Sequence, residues 1–233
     1  MDHPNLIEKN NTIQFAREIL AQKQNYLILD TETTGLGEKD VIIQMAVIDL
    51  NGNVLIDSFV KPLKRKSISR EATAIHGISS KHLQSAPYFA DVFYDLIPHL
   101  EARKQFLIYN FEFDTRLIRQ TFIADGINYP GKMHGECIMK EYAKFTGQWN
   151  TLTNDYRYQR LPGGNHSAKG DCLATLDLIK MLAEQELSLI PEDYKPAVRL
   201  QATESEIEAQ TSLVVLFIGA FFVFVLLWLI SKC

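Results

Sequence analysis

Cysteine is scarce in this 233-residue chain, where Cys137, Cys172 and Cys233 are all there are. None belongs to a C-x-x-C pair, which argues against a thiolate zinc site and a disulfide framework. An odd, scattered set suits a reducing compartment. The opening stretch, MDHPNLIEKNN, offers neither a basic run nor an apolar one, so no secretory signal is expected there. Positive charge is in short supply too. A formal net charge of -4 speaks against a broad basic field for long duplexes. It leaves room for an enzyme that holds a few nucleotides and gathers acidic metal ligands. No internal repeat is evident, and 46% hydrophobic with 22% charged residues fits one globular domain with additions.

What is present begins with YLILDTETTGL, residues 26–36. Its apolar start reads as a buried strand, and Asp30 and Glu32 then arrive one residue apart. Alternate strand residues face the same side, so the two carboxylates repel unless a cation lies between them. A divalent ion is the usual resolution. Taken alone, D-x-E is a weak signal, and solvated turn carboxylates are the ordinary alternative.

The hydrophobic pattern predicts a helix over 12–22, a strand over 26–30, and strands over 41–50 and 54–62 flanking the hairpin signal Asn51-Gly52. Further on it predicts a helix over 87–101, a strand over 106–109, and helices over 111–124, 135–146 and 171–186. An antiparallel β1-β2-β3 meander followed by alternating strands and helices implies an α/β fold with a mixed sheet flanked by helices. The expected organisation is a helical segment over 1–24, a main domain over 25–186, a linker over 187–212 and an apolar span over 213–230. The linker holds Pro191, Pro196 and the acidic run Glu204, Glu206, Glu208. The span, LVVLFIGAFFVFVLLWLI, has no charged residue and reaches about 27 Å as a helix, close to a bilayer's hydrocarbon thickness. A buried core helix would need a domain able to cover every face of it, so a transmembrane helix is expected.

Two more constellations stand downstream. In YNFEFDTR (109–116), Asn110 follows the apolar strand as an expected helix N-cap, and Asp114 lies one turn on, on the same face. Glu112 is a rival ligand that projects away. In NHSAKGDCLAT (165–175), Asp171 opens the last helix. The loop holding Gly163, Gly164 and Gly170 can fold His166 over it, where a general base beside a metal would be wanted.

In this order the signals read D-x-E, N-x-x-x-D and H-x-x-x-x-D. This resembles the DEDD superfamily of 3′–5′ exonucleases in its histidine-bearing branch, which includes the proofreading subunit of bacterial DNA polymerase III and ribonuclease T. The resemblance covers about residues 25–186 and is most specific in DTETTGL, AIHGIS and HSAKGD. It implies a ribonuclease H-like fold. It also implies that Asp30, Glu32, Asp114 and Asp171 hold two Mg²⁺ or Mn²⁺ ions and that His166 deprotonates the attacking water. The backbone of Thr33, Thr34, Gly35 and Leu36, with the Leu36 side chain, would cradle the 3′-terminal nucleotide, and His76 and Asn110 complete the substrate-binding set. Tyr109 departs from the histidine that many members carry, and residues 144–164 match no member.

The partners implied are 3′ ends of single-stranded DNA or RNA, a membrane through the C-terminal helix, and, as an open point, a second copy in a homodimer. The expected placement is a tail anchor with the catalytic domain in the cytosol and Cys233 on the far side. An RNA-specific 3′ trimming enzyme and an inactive nucleic-acid-binding membrane protein are the alternatives. The basic cluster Lys61, Lys64, Lys66 and Arg70, with Arg65 among them, reads as a solvated loop ahead of a phosphate or lipid-headgroup surface. Cys172 reads as a small buried hydrophobe, and Cys233 does not fit the four-residue prenylation pattern.

Overall fold

The computed structural model describes residues 5–196 except 65, 103 and 130–132. Helix α1 (Leu6–Ala21) starts earlier than its apolar pattern, because the Asn5 side chain accepts the N–H groups of Ile7 and Glu8 and caps it. Strand β1 (Tyr26–Thr33) then pairs antiparallel with β2 (Ile42–Asp49), and β2 with β3 (Val54–Phe59). The turn between β2 and β3 uses Gly52 at φ 88°, with the Asp49 carboxylate accepting the N–H groups of Asn51 and Asn53. Strands β4 (Gln105–Ile108) and β5 (Gly135–Cys137) join parallel, giving the order β3-β2-β1-β4-β5. The mixed sheet, antiparallel on one side of β1 and parallel on the other, is the one expected.

The helices sort into two layers. Leu27, Leu29, Met45, Val47, Phe106 and Ile108 bury one sheet face. Against it lie α3 (Phe89–Tyr94), α4 (Ile97–Glu101) and α5 (Phe111–Asp125). Phe89, Phe93 and Phe122 meet edge to face there, at 5.0 and 4.8 Å between centroids. Ile28, Ala46, Ile48 and Leu107 bury the other face against α1, α6 (Ile138–Thr146) and α7 (Ala168–Glu184). A strand alternates its faces, so neighbours on β1 serve opposite layers. That alternation decides how the site is built.

Several boundaries differ from the sequence pattern for physical reasons. The helix expected over 87–101 is two short ones, because Pro98 in the first turn of α4 cannot donate back to a preceding turn. The helix expected from 135 begins at Ile138, and Gly135–Cys137 are a strand. A Cβ on Gly135 would fall 1.8 Å from the Phe106 carbonyl oxygen, so a glycine allows β5 to lie against β4. A helix not expected, α2 (Arg70–His76), is capped by Ser69 and closed by Gly77 at φ 70°. Within 144–164, β6 (Trp149–Asn150) and β7 (Asp155–Tyr156) make a small hairpin.

The chain after α7 turns back along α1. Asn10 bonds both the N–H and the carbonyl of Ser188 at 2.8 Å, and Tyr194 Oη accepts the Leu6 N–H at 2.9 Å. The boundary expected at 187 therefore falls inside a stretch held to the domain. The rest of the expected linker beyond 196, the span Leu213–Ile230, Arg65 and Cys233 lie outside the described residues. Among the described residues no helix is long and apolar enough to cross a membrane.

Candidate active site

Strand β1 outruns its parallel neighbour, since only Tyr26–Ile28 pair with β4. Past Ile28, no strand of the described sheet takes the N–H groups on that edge. Thr31 finds another partner: its N–H and its O–H both donate to Asp114 Oδ1, at 3.1 and 2.7 Å. Asp114 sits in the first turn of α5, so it reaches β1 from the layer that Thr31 faces. Asp30 and Glu32 lie on the opposite face, with Ile28, where α7 enters. Strand β1 runs on to Thr33, so Glu32 as well as Asp30 lies inside it, past the end expected at 30.

The start of α7 is fixed by Ser167 Oγ, which accepts the Gly170 N–H at 3.2 Å, and by Gln44 Oε1, which accepts the Ala168 N–H at 3.2 Å. Asp171 follows in the first turn, and its Oδ1 accepts the N–H groups of Asn165 and His166 at 2.8 and 3.1 Å. Carboxylate oxygens of Asp30, Glu32 and Asp171 lie within 4.8 Å of one another. Asp114 stands outside this triplet, approaching from the other layer with Oδ1 committed to Thr31. All four carboxylates line one cavity of about 660 Å³, together with Asn110, Tyr109, Arg160 and His166.

Charge crowding dominates the electrostatics. Burial, then Asp114, Asp171 and Glu32, hold Asp30 well above the usual carboxylate range. Burial, with Asp171 and Asp114, pushes Glu32 up to about 7. Burial also pushes Asp114 up to about 7, against the pull of its Thr31 hydrogen bonds. The converging donors are all carboxylate oxygens, the set a hard divalent cation takes. Cys172 is no competitor, for its thiol turns into the core toward the carbonyls of Ile28 and Ala46. The residues present fit such an ion.

His166 faces this cavity from a left-handed backbone, φ 59°. Such a conformation is uncommon outside glycine and gathers at functional sites. The loop is drawn tight by Asn165 Oδ1, which accepts from the N–H and the O–H of Ser167. Gly170 makes room for it: a Cβ there would lie 2.1 Å from Asn165 Oδ1.

The residues expected to cradle a terminal nucleotide are placed differently. Thr33 and Thr34 are buried and do not line the cavity. The Thr33 hydroxyl donates to the Gly35 carbonyl, and that of Thr34 donates to Asp40 and accepts the Val41 N–H. Their backbones are also engaged, Thr33 O with His76 and Thr34 N–H with Val41 O. These threonines shape the turn after the paired carboxylates. A Cβ on Gly35 would meet Asp40 Oδ2 at 2.8 Å, so the close approach of Asp40 requires the glycine. Leu36 is 76% exposed, with its side chain available. His76 Nδ1 accepts the Ile78 N–H, which leaves Nε2 to donate to the Thr33 carbonyl at 3.1 Å. It ties α2 to the end of β1, and its neighbour Ile75 lines the cavity instead.

Asn110 stands at the N-cap position of α5, yet its side chain caps nothing and lines the cavity. Glu112 points away and pairs with Lys140. Sequence reasoning missed Thr31, Phe113 and Arg160 as lining residues. For Thr31 the signal was there, since period two puts it opposite its acidic neighbours. The basic cluster borders a separate cleft of about 390 Å³ through Lys61 and Lys66, sharing no lining residue with the carboxylates.

A family model described as Exonuclease matches residues 27–179. The uncharacterized exonuclease CP81 of Escherichia phage 186 is 35% identical over 173 residues, covering 68% of this chain and 88% of the phage protein. This chain belongs to the exonuclease family. A DNA polymerase III epsilon subunit of Buchnera aphidicola is 28% identical over 109 residues, 42% of this chain and 46% of that subunit. Among solved structures, the nuclease domain of 3′hExo, a DEDDh family member bound to rAMP, superposes with a TM-score of 0.52 at 17% identity. It covers 67% of this chain and 90% of that one. Exonuclease I of E. coli in complex with a dA16 oligonucleotide gives 0.52 at 20%, covering 67% and 40%. At these identities the likeness is one of fold, a ribonuclease H-like mixed sheet flanked by helices. Membership makes the chain a nuclease hydrolase of a metal-dependent kind.

Proposed function

We propose that this exonuclease works in the 3′–5′ direction on single-stranded DNA or RNA, as a histidine-bearing member of the DEDD superfamily. The observation that carries the reading is the convergence of Asp30, Glu32 and Asp171 within 4.8 Å, with Asp114 and His166 lining the same cavity. Those four carboxylates would hold the Mg²⁺ or Mn²⁺ ions. Such ions supply an acidified water and offset the charge that develops on the scissile phosphate. His166 accepts the proton of the attacking water, as a positioned imidazole can near neutral pH. Asp171 fixes the backbone of His166 through one oxygen and leaves the other for the metal, so base and ligand keep a constant relation. Leu36 offers an exposed apolar surface to the terminal base. Asn110, with its amide free of any cap, faces the sugar and phosphate.

The uncharged run Leu213–Ile230 favours a membrane span, with the nuclease domain on the cytosolic side of it. Protease added to the cytosolic face of sealed vesicles should then digest the domain, and protection of the domain would sink that placement.

The test of the main reading is an incubation of the protein with matched DNA and RNA strands in Mg²⁺ or EDTA. Release of mononucleotides, slowed by a blocked 3′ end and not by a blocked 5′ end, is the expected result. Efficient cutting of circular single strands would show an endonuclease instead. The ratio of DNA to RNA rates decides between a general exonuclease and an RNA trimming enzyme.

A further inference from the structure

We propose that Arg160 binds the substrate's phosphate chain upstream of the scissile bond, and that Tyr109 is the positioning residue that presents it. This deepens the exonuclease reading above and rests on it.

Among the described residues the cavity wall holds four carboxylates and a single Lys or Arg side chain, Arg160. Three cations of α5, α6 and α7 are already engaged elsewhere. Lys140 pairs with Glu112, and Lys169 with Asp57 at 2.6 Å. Arg116 donates to Gln120 Oε1 and to the Leu36 carbonyl and lies over the Phe113 ring. Arg160 has no hydrogen bond or ion pair among the described residues, although it shares a cavity with four acids. Its guanidinium, a planar fork of donors suited to phosphate oxygens, is exposed and uncommitted. Metal ions on the carboxylates would serve the scissile phosphate. The next phosphates along the strand find no other cation among the described residues of this wall.

The backbone that carries Arg160 is held on both sides. Gln159 comes just before it, and its carbonyl accepts the Tyr109 hydroxyl at 2.8 Å. The Gln159 side chain bonds Gln148 Oε1 and the Arg157 carbonyl, while the Arg157 N–H donates to the Gln148 carbonyl at 2.7 Å. Leu161, just after it, packs on the core layer of α1, α6 and α7. Tyr109 is the residue between strand β4 and Asn110, so the anchor starts from the sheet itself. The unmatched segment 144–164 thereby gains a role, since the chain that follows its hairpin brings one cation to the wall of an acidic site.

The experiment uses the full chain in detergent micelles and two substrates. One is a single strand of about ten nucleotides, read by hydrolysis in Mg²⁺ and by fluorescence anisotropy in Ca²⁺. The other is the 4-nitrophenyl ester of thymidine 5′-phosphate, which has no upstream phosphate. Arg160→Gln should raise KM and Kd for the oligonucleotide by about 10–100-fold and lower the slope of log Kd against log salt by about 0.7, one single-strand contact. Its effect on kcat/KM should be at least about tenfold greater for the oligonucleotide than for the ester. Arg160→Lys should recover part of the affinity and the full salt slope. Tyr109→Phe should raise KM several-fold with kcat less affected, and add nothing to Arg160→Gln. Wild-type Kd and salt slope in Arg160→Gln, or equal losses on both substrates, would overturn the proposal and leave the exonuclease reading standing. A wild-type protein that hydrolyses neither substrate overturns the reading itself.

Discussion

Asp171 Oδ1 accepts the backbone N–H of His166 at 3.1 Å, and that of Asn165 beside it at 2.8 Å. One carboxylate thus does two things, offering an oxygen to the cluster with Asp30 and Glu32 and holding the His166 loop closed. The two roles separate by mutation. Asp171→Asn keeps an acceptor for the loop but loses the charge, so turnover should nearly vanish while Tm holds or rises. Asp171→Ala loses both, and proteolysis near Gly163 and Gly164 should become faster as well. Wild-type turnover in Asp171→Asn would remove it from the metal ligands.

Gly170→Ala tests the packing of that loop. The new methyl would meet Asn165 Oδ1 at 2.1 Å, so Asn165 must move and His166 with it. Alanine is the better helix former by about 1 kcal/mol, so Tm should change little. Displacing a group that supports the site should lower kcat by about 10–100-fold. A variant with unchanged kcat would show that the loop position is not set here.

Thr31→Val keeps the shape and the N–H bond but deletes the O–H bond to Asp114. The carboxylate then loses its stronger tether and half of what orients it. The Mg²⁺ concentration for half-maximal activity should rise by about 10–100-fold, the usual cost of losing an outer partner of a ligand. Stability should fall by about 1 kcal/mol. An unchanged metal requirement would mean that Asp114 is placed by α5 alone.

Much of this architecture was legible in the sequence. Periodicity and the Asn51-Gly52 turn gave the meander, since one side of each strand is visibly apolar and the turn residues are specific. Asp30 and Glu32 were legible because period two puts them on one strand face, whereas Asp114, Asp171 and His166 joined them only through the family resemblance. What stayed hidden depends on contacts between distant segments. Thr34 reads as part of a nucleotide cradle until its backbone N–H is seen to go to Val41 and its hydroxyl to Asp40. Strand β5 is three residues long, too short for a period, and its glycine is explained only by the Phe106 carbonyl opposite. Asn110 has the composition of a cap and not its hydrogen bond, because the strand end turns its amide into the cavity.

The crowded carboxylates also give the metal-free protein a distinctive response to pH. Glu32 and Asp114 are both pushed up to about 7, chiefly by burial, and Asp30 is raised as well. In the unfolded chain these groups return to the ordinary range near 4. From that range up through about 7 the folded protein binds more protons than the unfolded one, so stability falls as pH rises. Asp49 and Glu112 are lowered, so they act only below the ordinary carboxylate range. His76 and His99, lowered mainly by burial from 6.5, oppose the trend, because a histidine hindered from charging makes the fold more stable as pH rises. A difference between proteins removes their contribution. In EDTA, the Tm of wild type relative to Asp30→Asn should drop as pH rises above the ordinary carboxylate range, because Asp30 is held raised in the fold. Saturating Mg²⁺ binds the ionised carboxylates of the folded state, and it should reverse that trend for wild type far more than for the variant. A relative Tm that stays level in EDTA, or that Mg²⁺ leaves unmoved, would mean that Asp30 is not part of a charge cluster awaiting a cation.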